Sequence, residues 1–153
     1  IEDSYTKNVY INNIMHKVEI VDTAGQEEYS SLRYDWIKNA DGILLVYSLD
    51  SPDSFIHIKY LMDQISRIKK IPMILAGNKC DLKINKDTLK DCERQIKQWN
   101  IPFFKTSAKN SINDKIVFFE LIELIIEQKK KDEIIRSNTK IKNNKKKFKC
   151  NIL

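Results

Sequence analysis

The sequence has few of the residues that build phosphate loops, metal centres or disulfide frameworks: its 153 residues include three glycines, three cysteines and two histidines. None of the glycines, at Gly25, Gly42 and Gly77, begins the pattern GxxxxGK[ST], in which glycine backbones approach phosphate and a lysine neutralises it. There is no CxxC pair and no paired histidine, so neither a zinc site nor a disulfide scaffold is expected. Cys80 and Cys92 are therefore expected to be reduced thiols in a cytosolic protein.

Long apolar runs are also absent. The longest apolar stretches are far shorter than the roughly 20 residues that span a bilayer, which excludes an integral membrane protein. No basic and apolar N-terminal segment resembles a signal peptide. A hydrophobic content of 42% over 153 residues suits a single globular domain.

Positive charge is concentrated in the C-terminal part. Residues 1–127 hold 17 Lys and Arg against 19 Asp and Glu, a net charge of −2, whereas residues 128–153 hold 10 against 2, a net charge of +8. The basic part is rich in Lys, Asn and Ser and has no sustained apolar period. It predicts a disordered polybasic tail over residues 129–153, following a domain over residues 1–128. A nuclear signal or a nucleic-acid-binding arm is the alternative, but no aromatic stacking platform accompanies the charge, so no nucleic acid partner is expected.

The remaining chain alternates between strand and helix patterns. Asn12 and Asn13 suit the tight turn of an antiparallel hairpin, and Ser51 followed by Pro52 is typical of a helix N-terminus. Asn100 is placed as a left-handed helix cap. The later strands are predicted over 42–48, 72–77 and 102–105, and the helices over 29–39, 52–68, 87–99 and 113–131. This order predicts an α/β fold whose polar loops follow the strand ends, where such sheets bind ligands.

Polar segments follow three of these strands. Asn78-Lys79-Cys80-Asp81 closes the run 72–77, and its carboxylate at Asp81 can accept from the ring N–H and the exocyclic amine of guanine, a pairing that adenine cannot offer. Asn78 can bond the base and neighbouring loops, and the Lys79 stem can cover the ring. An ordinary polar loop is the alternative for this motif alone.

Two further segments favour guanine recognition over an ordinary polar loop. Asp22-Thr23-Ala24-Gly25-Gln26 follows the strand pattern 18–21, and Thr106-Ser107-Ala108-Lys109 follows the strand pattern 102–105. Together with Asn78 to Asp81, they resemble the motifs of Ras-family small GTPases of the Ras and Rap branch, over residues 1 to about 128. Ile1-Glu2-Asp3-Ser4-Tyr5 resembles the effector-binding loop of that branch.

The resemblance implies a fold and a set of roles. The fold is the P-loop NTPase fold of small GTPases, a mostly parallel sheet with helices on both faces. Asp22 would hold Mg²⁺ through a water, Gln26 would be the catalytic residue that orients the attacking water, and the Ala108 N–H would contact the guanine carbonyl. The nucleotide-binding residues implied are Asp22, Thr23, Ala24, Gly25, Gln26, Asn78, Lys79, Asp81, Ser107, Ala108 and Lys109, with GTP or GDP as ligand.

The resemblance also indicates what is missing. In the family, the P-loop, the first strand and the first helix precede the place of Ile1, so an N-terminally incomplete copy is expected. The first strand lies in the family between the strands that end here at Asp22 and at Ser48. Its loss predicts a sheet cut into two pieces with two new edges, and residues that neither fold stably nor bind nucleotide alone.

The C-terminal residues Cys150-Asn151-Ile152-Leu153 fit a CaaX box, with leucine favouring geranylgeranylation of Cys150. One lipid anchors only marginally, and the adjacent lysines would supply the second attraction, to an anionic inner leaflet. The expected protein is a switch at the cytoplasmic face of the plasma membrane or endomembranes. Its expected partners are GTPase-activating proteins, guanine nucleotide exchange factors and Ras-binding-domain effectors. The competing hypothesis is a pseudo-GTPase that keeps the effector and membrane surfaces without hydrolysing nucleotide.

Overall fold

A computed structural model describes residues 2–23, 30–84, 86–138 and 147–152. Four helices and six strands make up these ranges. The strands are β1 (Glu2–Ile11), β2 (Ile14–Thr23), β3 (Gly42–Ser48), β4 (Met73–Asn78), β5 (Phe103–Lys105) and β6 (Lys147–Ile152). The helices are α1 (Ser30–Asn39), α2 (Pro52–Ile68), α3 (Lys86–Trp99) and α4 (Asp114–Asn138). No helix within these ranges has the length and apolar content needed to cross a bilayer.

The six strands form one mostly parallel sheet in the order β1-β2-β6-β3-β4-β5. Only β1 and β2 are antiparallel, and the turn between them places Asn12 and Asn13 at φ 50° and 62°. Those left-handed conformations are the ones that a two-residue hairpin loop requires, which confirms the turn expected from the sequence. The predicted α/β fold with a mostly parallel sheet is confirmed as well.

Capping residues set the start of α2 and the end of α3. Ser51 caps α2 by accepting a hydrogen bond from the Ser54 N–H at 3.4 Å, and Pro52 stands in the first turn, where a missing N–H costs nothing. Asn100 follows α3 with φ 52°, the left-handed geometry that ends a helix. Both features were expected from the sequence and are confirmed.

Apolar side chains pack on both faces of the sheet. One buried cluster joins α1, α2 and α3 to the sheet and includes Ile37, Leu45 and Ile65. The other joins α4 to the opposite face and includes Leu44 and Leu121. Strand β3 contributes to both clusters because successive side chains of a strand point to opposite faces, so this strand lies at the centre of the domain.

Beside α4, an open groove of about 340 Å³ runs over the β1-β2 hairpin. Its walls carry apolar side chains of the sheet and of α4, among them Val9, Ile20 and Phe118. Within the described residues, α4 is the helix that packs on this face of the sheet.

The C-terminal part differs from the disordered tail predicted over residues 129–153. Helix α4 continues to Asn138, supported by an ion pair of 2.8 Å between Lys129 and Asp41 and by a hydrogen bond of 2.9 Å from Gln128 to Asp132. Residues 147–152 form β6. Charged residues did not prevent helix formation here because lysine and glutamate are good helix formers and the helix is anchored to the domain.

Strand β6 also corrects the prediction of a divided sheet. It lies between β2 and β3, pairing in parallel with both, so neither of those strands is an edge. The prediction of two pieces is wrong because a backbone ladder accepts any segment that can extend beside it, and residues 147–152 pair with both strands.

Candidate functional site

Polar side chains gather at one edge of the sheet because five of its strands run in parallel. The carboxyl ends of β2, β3, β4 and β5 carry Asp22, Ser48, Asn78 and the loop that begins at Thr106. In sheets of this kind, the crevice at the carboxyl ends of the strands is where ligands bind. The structure therefore brings the two motifs after β4 and β5 together, with Asp22 further along the same edge.

Asn78 connects β4 to the loop after β5. Its side-chain oxygen accepts a hydrogen bond from the Ala108 backbone N–H at 3.1 Å and another from the Thr106 hydroxyl at 3.4 Å. The backbones are linked as well, since the Cys80 N–H donates to the Thr106 carbonyl at 2.9 Å. An amide in this position fixes the two loops relative to each other, which is the loop-binding role expected of Asn78.

Asp81 and Ser107 form the second link between these loops. The Ser107 hydroxyl donates to Asp81 Oδ1, and Ser107 is fully buried. The same hydroxyl oxygen accepts the Asn110 N–H at 3.2 Å. Because one carboxylate oxygen is held in this way, the carboxylate has a fixed orientation and Oδ2 receives no hydrogen bond from the described residues.

The loop that carries Ser107 and Ala108 is itself tightly built. Ser107 and Ile112 exchange two backbone hydrogen bonds, of 3.0 and 2.9 Å, and close the loop. Asn113 donates its side-chain N–H to the Lys105 carbonyl at 2.8 Å. Ala108 and Lys109 lie exposed on this loop. A rigid loop holds its backbone N–H groups in fixed positions, as a preorganised binding site requires.

Lys79 stands between these loops and the end of β3. Its backbone has φ 64°, and its ammonium group lies 3.4 Å from Asp50 Oδ1. The same carboxylate oxygen accepts the Ser48 hydroxyl hydrogen. That hydrogen bond is the main cause that lowers the pKa of Asp50, and the positive charge of Lys79 adds to it. The ion pair thereby joins the loop after β4 to the segment after β3.

Ser48 and Asp50 were missed by the sequence analysis. They follow β3, and Leu49 N–H donates to the Asn78 carbonyl at 2.9 Å, which places this segment beside the β4 loop. Gly77 permits that approach, because a Cβ there would lie 2.7 Å from Leu49 Cδ2. The available signal was positional: a polar segment after a buried parallel strand belongs to the same edge as the other strand ends.

Asp22 and Thr23 lie apart from this group, across β6 and β3 in the sheet. The Asp22 side chain is exposed, and Thr23 donates its hydroxyl hydrogen to the Ile152 carbonyl at 2.5 Å. An exposed carboxylate at a strand end has the oxygen chemistry that Mg²⁺ prefers, and one carboxylate combined with phosphate oxygens is a common magnesium site. Asp22 therefore fits the role expected of it. The described residues contain no group of three or more His, Cys, Asp or Glu that could hold a metal without such a ligand.

Several predicted site residues lie outside the described ranges. These are Ala24, Gly25 and Gln26 after β2, and Ile1 before β1. The backbone of Glu2 belongs to β1, and the exposed side chains of Asp3, Ser4 and Tyr5 follow it. Strand β1 is the first strand of the sheet, so the proposed effector segment lies on an edge, and Ser4 donates to Glu19 at 3.4 Å.

Cys150, the predicted lipidation site, is placed inside the sheet. It pairs with Ile20 on β2 and with Gly42 on β3, and 1% of its surface is exposed. Burial, with the nearby charge of Asp41, raises the pKa of this thiol to about 12. The three cysteines are free thiols, as the sequence predicted for Cys80 and Cys92.

Comparison with known proteins gives a consistent result. A sequence model described as the Ras family matches residues 1–127. The chain is 43% identical to Ras-like protein 1 of Saccharomyces cerevisiae over 129 residues, which cover 82% of this chain and 42% of that protein. It is 36% identical to the Ras-related protein Ral-a of Drosophila melanogaster over 156 aligned positions, which cover 99% of this chain and 78% of that protein. The chain thus spans less than half the length of the first relative.

Proposed function

Because this chain belongs to the Ras family of small GTPases, we propose that it is the switch domain of a protein that binds GTP and GDP and hydrolyses GTP slowly. Its switch loops would order with the triphosphate and relax after hydrolysis, which changes its affinity for effectors.

The observation that carries the proposal is the linked pair of loops after β4 and β5. Asn78 holds the Ala108 loop at 3.1 Å, and Ser107 holds Asp81. An oriented carboxylate accepts the two N–H groups on one edge of guanine, and the Ala108 N–H, which donates to Asn78 in this structure, would meet the guanine carbonyl from the adjacent loop. Adenine has neither this pair of N–H groups nor the carbonyl. Each buried polar group that is left unpaired costs about 1–3 kcal/mol of binding free energy.

Hydrolysis would be an in-line attack of water on the γ-phosphate. Gln26 would orient that water, and Asp22 would support Mg²⁺ through a water ligand. Bound Mg²⁺ neutralises phosphate charge in such sites, and Ras itself is the standard example of the scheme. The exposed position of Asp22 at the end of β2 supports its part in it.

A slow intrinsic reaction implies regulatory partners. We propose a GTPase-activating protein that supplies an arginine, a guanine nucleotide exchange factor and Ras-binding-domain effectors. The effector surface would be residues 1–5, where the edge position of β1 favours addition of a strand from the partner. The acidic side chains Glu2 and Asp3 would then attract basic partners.

The membrane tether is a further part of the proposal. Geranylgeranylation of Cys150, together with Lys145, Lys146, Lys147 and Lys149, would hold the protein at an anionic cytoplasmic leaflet. The sequence Cys-Asn-Ile-Leu and the adjacent lysines support it. Cys150→Ser should then release the protein into the soluble fraction.

The test of guanine recognition uses the chain joined to the phosphate-binding N-terminal segment of a Ras-family relative. Labelled GDP should bind and should be displaced by GTP but not by ATP. Asp81→Asn should shift the preference towards xanthine nucleotides, because an amide donates to the extra carbonyl of xanthine. Asp63→Asn, an exposed change on α2, is the matched control. Unchanged guanine preference in the Asp81 variant would remove Asp81 from this role.

The same protein tests hydrolysis against the competing pseudo-GTPase hypothesis. Gln26→Leu should keep nucleotide affinity while losing turnover stimulated by an activating protein, since leucine cannot orient water. Effector binding that is equal with GTP, with GDP and without nucleotide would instead favour an interaction module.

A further inference from the structure

Asp50 lies in a tightly bonded turn between β3 and α2. The Ser54 hydroxyl donates to the Ser51 carbonyl at 2.7 Å and accepts the Ser48 N–H at 3.0 Å. The Ser51 N–H closes the turn by donating to the Ser48 carbonyl at 3.0 Å. The Asp50 carboxylate accepts the Ser48 hydroxyl hydrogen. Because the backbone of the turn and one carboxylate oxygen are both held, the position of this carboxylate is fixed.

The same turn is bonded to the loop after β4 that carries Lys79. The Leu49 N–H donates to the Asn78 carbonyl at 2.9 Å, and the Lys79 ammonium group lies 3.4 Å from Asp50 Oδ1. The backbone contact and the ion pair therefore join consecutive residues of one segment to consecutive residues of the other. This double link sets the place of the carboxylate relative to the Lys79 backbone, so the carboxylate selects among the rotamers of the lysine side chain.

Lys79 also has an unusual backbone conformation. Its φ of 64° lies in the left-handed region, which costs free energy for a residue that has a Cβ. Such conformations persist where the surrounding contacts determine them, and they are concentrated at functional sites. The side chain that leaves this strained backbone is the one that Asp50 contacts.

The ion pair itself is a weak source of stability. The side chains of Lys79 and Asp50 are 51% and 35% exposed, and ion pairs between exposed groups contribute little to the free energy of unfolding. The pair has a larger effect on a ligand that packs against the lysine. A free lysine side chain loses rotamer freedom when a ligand binds, whereas a side chain that is already held loses less, so the ligand binds more tightly.

We propose that Asp50 is a positioning residue for the guanine nucleotide, and that it acts by holding Lys79 in the conformation that packs against the bound base. The inference rests on the proposed guanine site, in which the stem of Lys79 covers the ring. The assignment requires no contact between Asp50 and the nucleotide. Because substitutions at a binding site change dissociation more than association, the effect of Asp50 falls on the rate of nucleotide release.

Release of GDP with a fluorescent label measures this effect in the chain joined to the phosphate-binding segment of a relative. Asp50→Asn keeps an oxygen for the Ser48 hydroxyl and removes the charge, so it should release GDP about three- to tenfold faster. Asp50→Glu restores the charge and should release GDP at less than about twice the wild-type rate. Asp53→Asn is the matched control, since it removes the same charge at an exposed position in the first turn of α2 and should keep the wild-type rate.

Two further readouts separate positioning from a general structural role. The difference in rate between the wild type and Asp50→Asn should shrink at a salt concentration of about 1 M, where the Debye length falls to about 3 Å, whereas a packing defect would persist. Lys79→Met keeps an unbranched stem without the ammonium group. In that background, Asp50→Asn should change the release rate by less than about 1.5-fold. A salt-independent difference in rate, or independent effects of the two substitutions, would overturn the inference.

A measurement without nucleotide separates this inference from the proposed function. In the chain of residues 1–153, NMR titration of the carboxyl carbon gives the pKa of Asp50. Ser48→Ala should raise this pKa most, because the Ser48 hydroxyl is the largest cause that lowers it, and Lys79→Met should raise it by a smaller amount. An unchanged pKa in Lys79→Met would show that the ion pair does not form and would overturn the inference.

The two sets of data distinguish the failures. If the joined protein binds no GDP, the proposed function fails and the role of Asp50 in nucleotide release fails with it. If GDP binds tightly and is released at equal rates from the wild type and Asp50→Asn, the inference alone is overturned. Faster release from Asp50→Asn, recovery in Asp50→Glu and a raised pKa in Lys79→Met together support it.

Discussion

The backbone N–H of Ala108 donates to the side-chain oxygen of Asn78 at 3.1 Å. This contact joins two residues that are 30 positions apart in the chain and that end neighbouring parts of the sheet. Since Asn78 also accepts the Thr106 hydroxyl, one amide positions both ends of the Thr106-Ser107-Ala108 segment. The backbone N–H groups that follow this segment in the loop are therefore held in fixed positions.

Asn78→Ala should lower the free energy of unfolding by about 1–2 kcal/mol, because it removes the acceptor for two donors, one of them on the buried residue Thr106. Denaturant titration measures the loss. Asn110→Ala, which removes an exposed side chain from the same loop, should cost less than about 0.5 kcal/mol. Equal effects of the two substitutions would mean that the amide does not organise the loops.

Gly42→Ala should destabilise the domain by about 1–3 kcal/mol, because the new Cβ would lie 2.6 Å from Ile125 Cδ1 and 2.7 Å from Ile125 Cγ1. Thermal and denaturant unfolding give the change. Ile125→Val removes the nearer methyl group, so the double variant should be less destabilised than the sum of the two single variants. Strict additivity would show that Gly42 and Ile125 are not in steric conflict.

Asp50 should make stability fall at acid pH. Its pKa is lowered from an ordinary value of 3.8, chiefly by the Ser48 hydroxyl, so the folded state favours the carboxylate. The contribution is present above the unfolded pKa and is lost as the pH falls through the lower, folded pKa. Asp50→Asn should remove this part of the pH profile. Identical profiles for the variant and the wild type between pH 2 and 6 would count against the assignment.

Cys150 should make stability fall at alkaline pH. Burial raises its pKa from 9.0 to about 12, so the folded state disfavours the thiolate. The contribution is therefore complete below pH 9 and is lost as the pH rises towards 12. Cys150→Ala should show a shallower alkaline decline than the wild type. Cys80→Ala, at a partly buried site on the β4 loop, is the matched control and should keep the wild-type decline.

Much of the fold could be predicted because local signals agreed with the tertiary contacts. The strand expected over 42–48 and the helix over 52–68 have those bounds in the structure. The helix expected over 87–99 begins one residue earlier, at Lys86. Each of these segments has a continuous apolar run or a clear helix cap. The residues that give these local signals also pack in the core, so local and tertiary preferences agree.

Strand β6 was not predicted because its signal is short. Apolar residues at 148, 150 and 152 alternate with polar ones, which is a strand pattern, but lysines dominate the surroundings and indicated a solvated tail. The partners that stabilise it, β2 and β3, are more than 100 residues away in the chain. Local sequence patterns carry no information about which strands pair across so large a separation in the chain.

Some residues of the candidate site could be predicted from the sequence and others could not. Asn78, Asp81 and Ser107 could be found because each belongs to a short motif directly after a strand. Ser48 and Asp50 could not, because their part depends on the approach of Leu49 to Gly77 and on the position of Lys79, which only the folded backbone reveals. Tertiary proximity, not residue type, identifies them.

The place of β6 in the sheet has a consequence for biosynthesis. Because β6 follows the other strands in the chain, β2, β3, β4 and β5 leave the ribosome before the strand that separates the first two of them. Until residues 147–152 emerge, β2 and β3 each present an unpaired backbone edge to other chains in the cell. Closure of the sheet therefore depends on pairing between strands more than 100 residues apart in the chain, and long-range pairing of this kind is a slow step in folding that leaves unpaired edges open to misassembly.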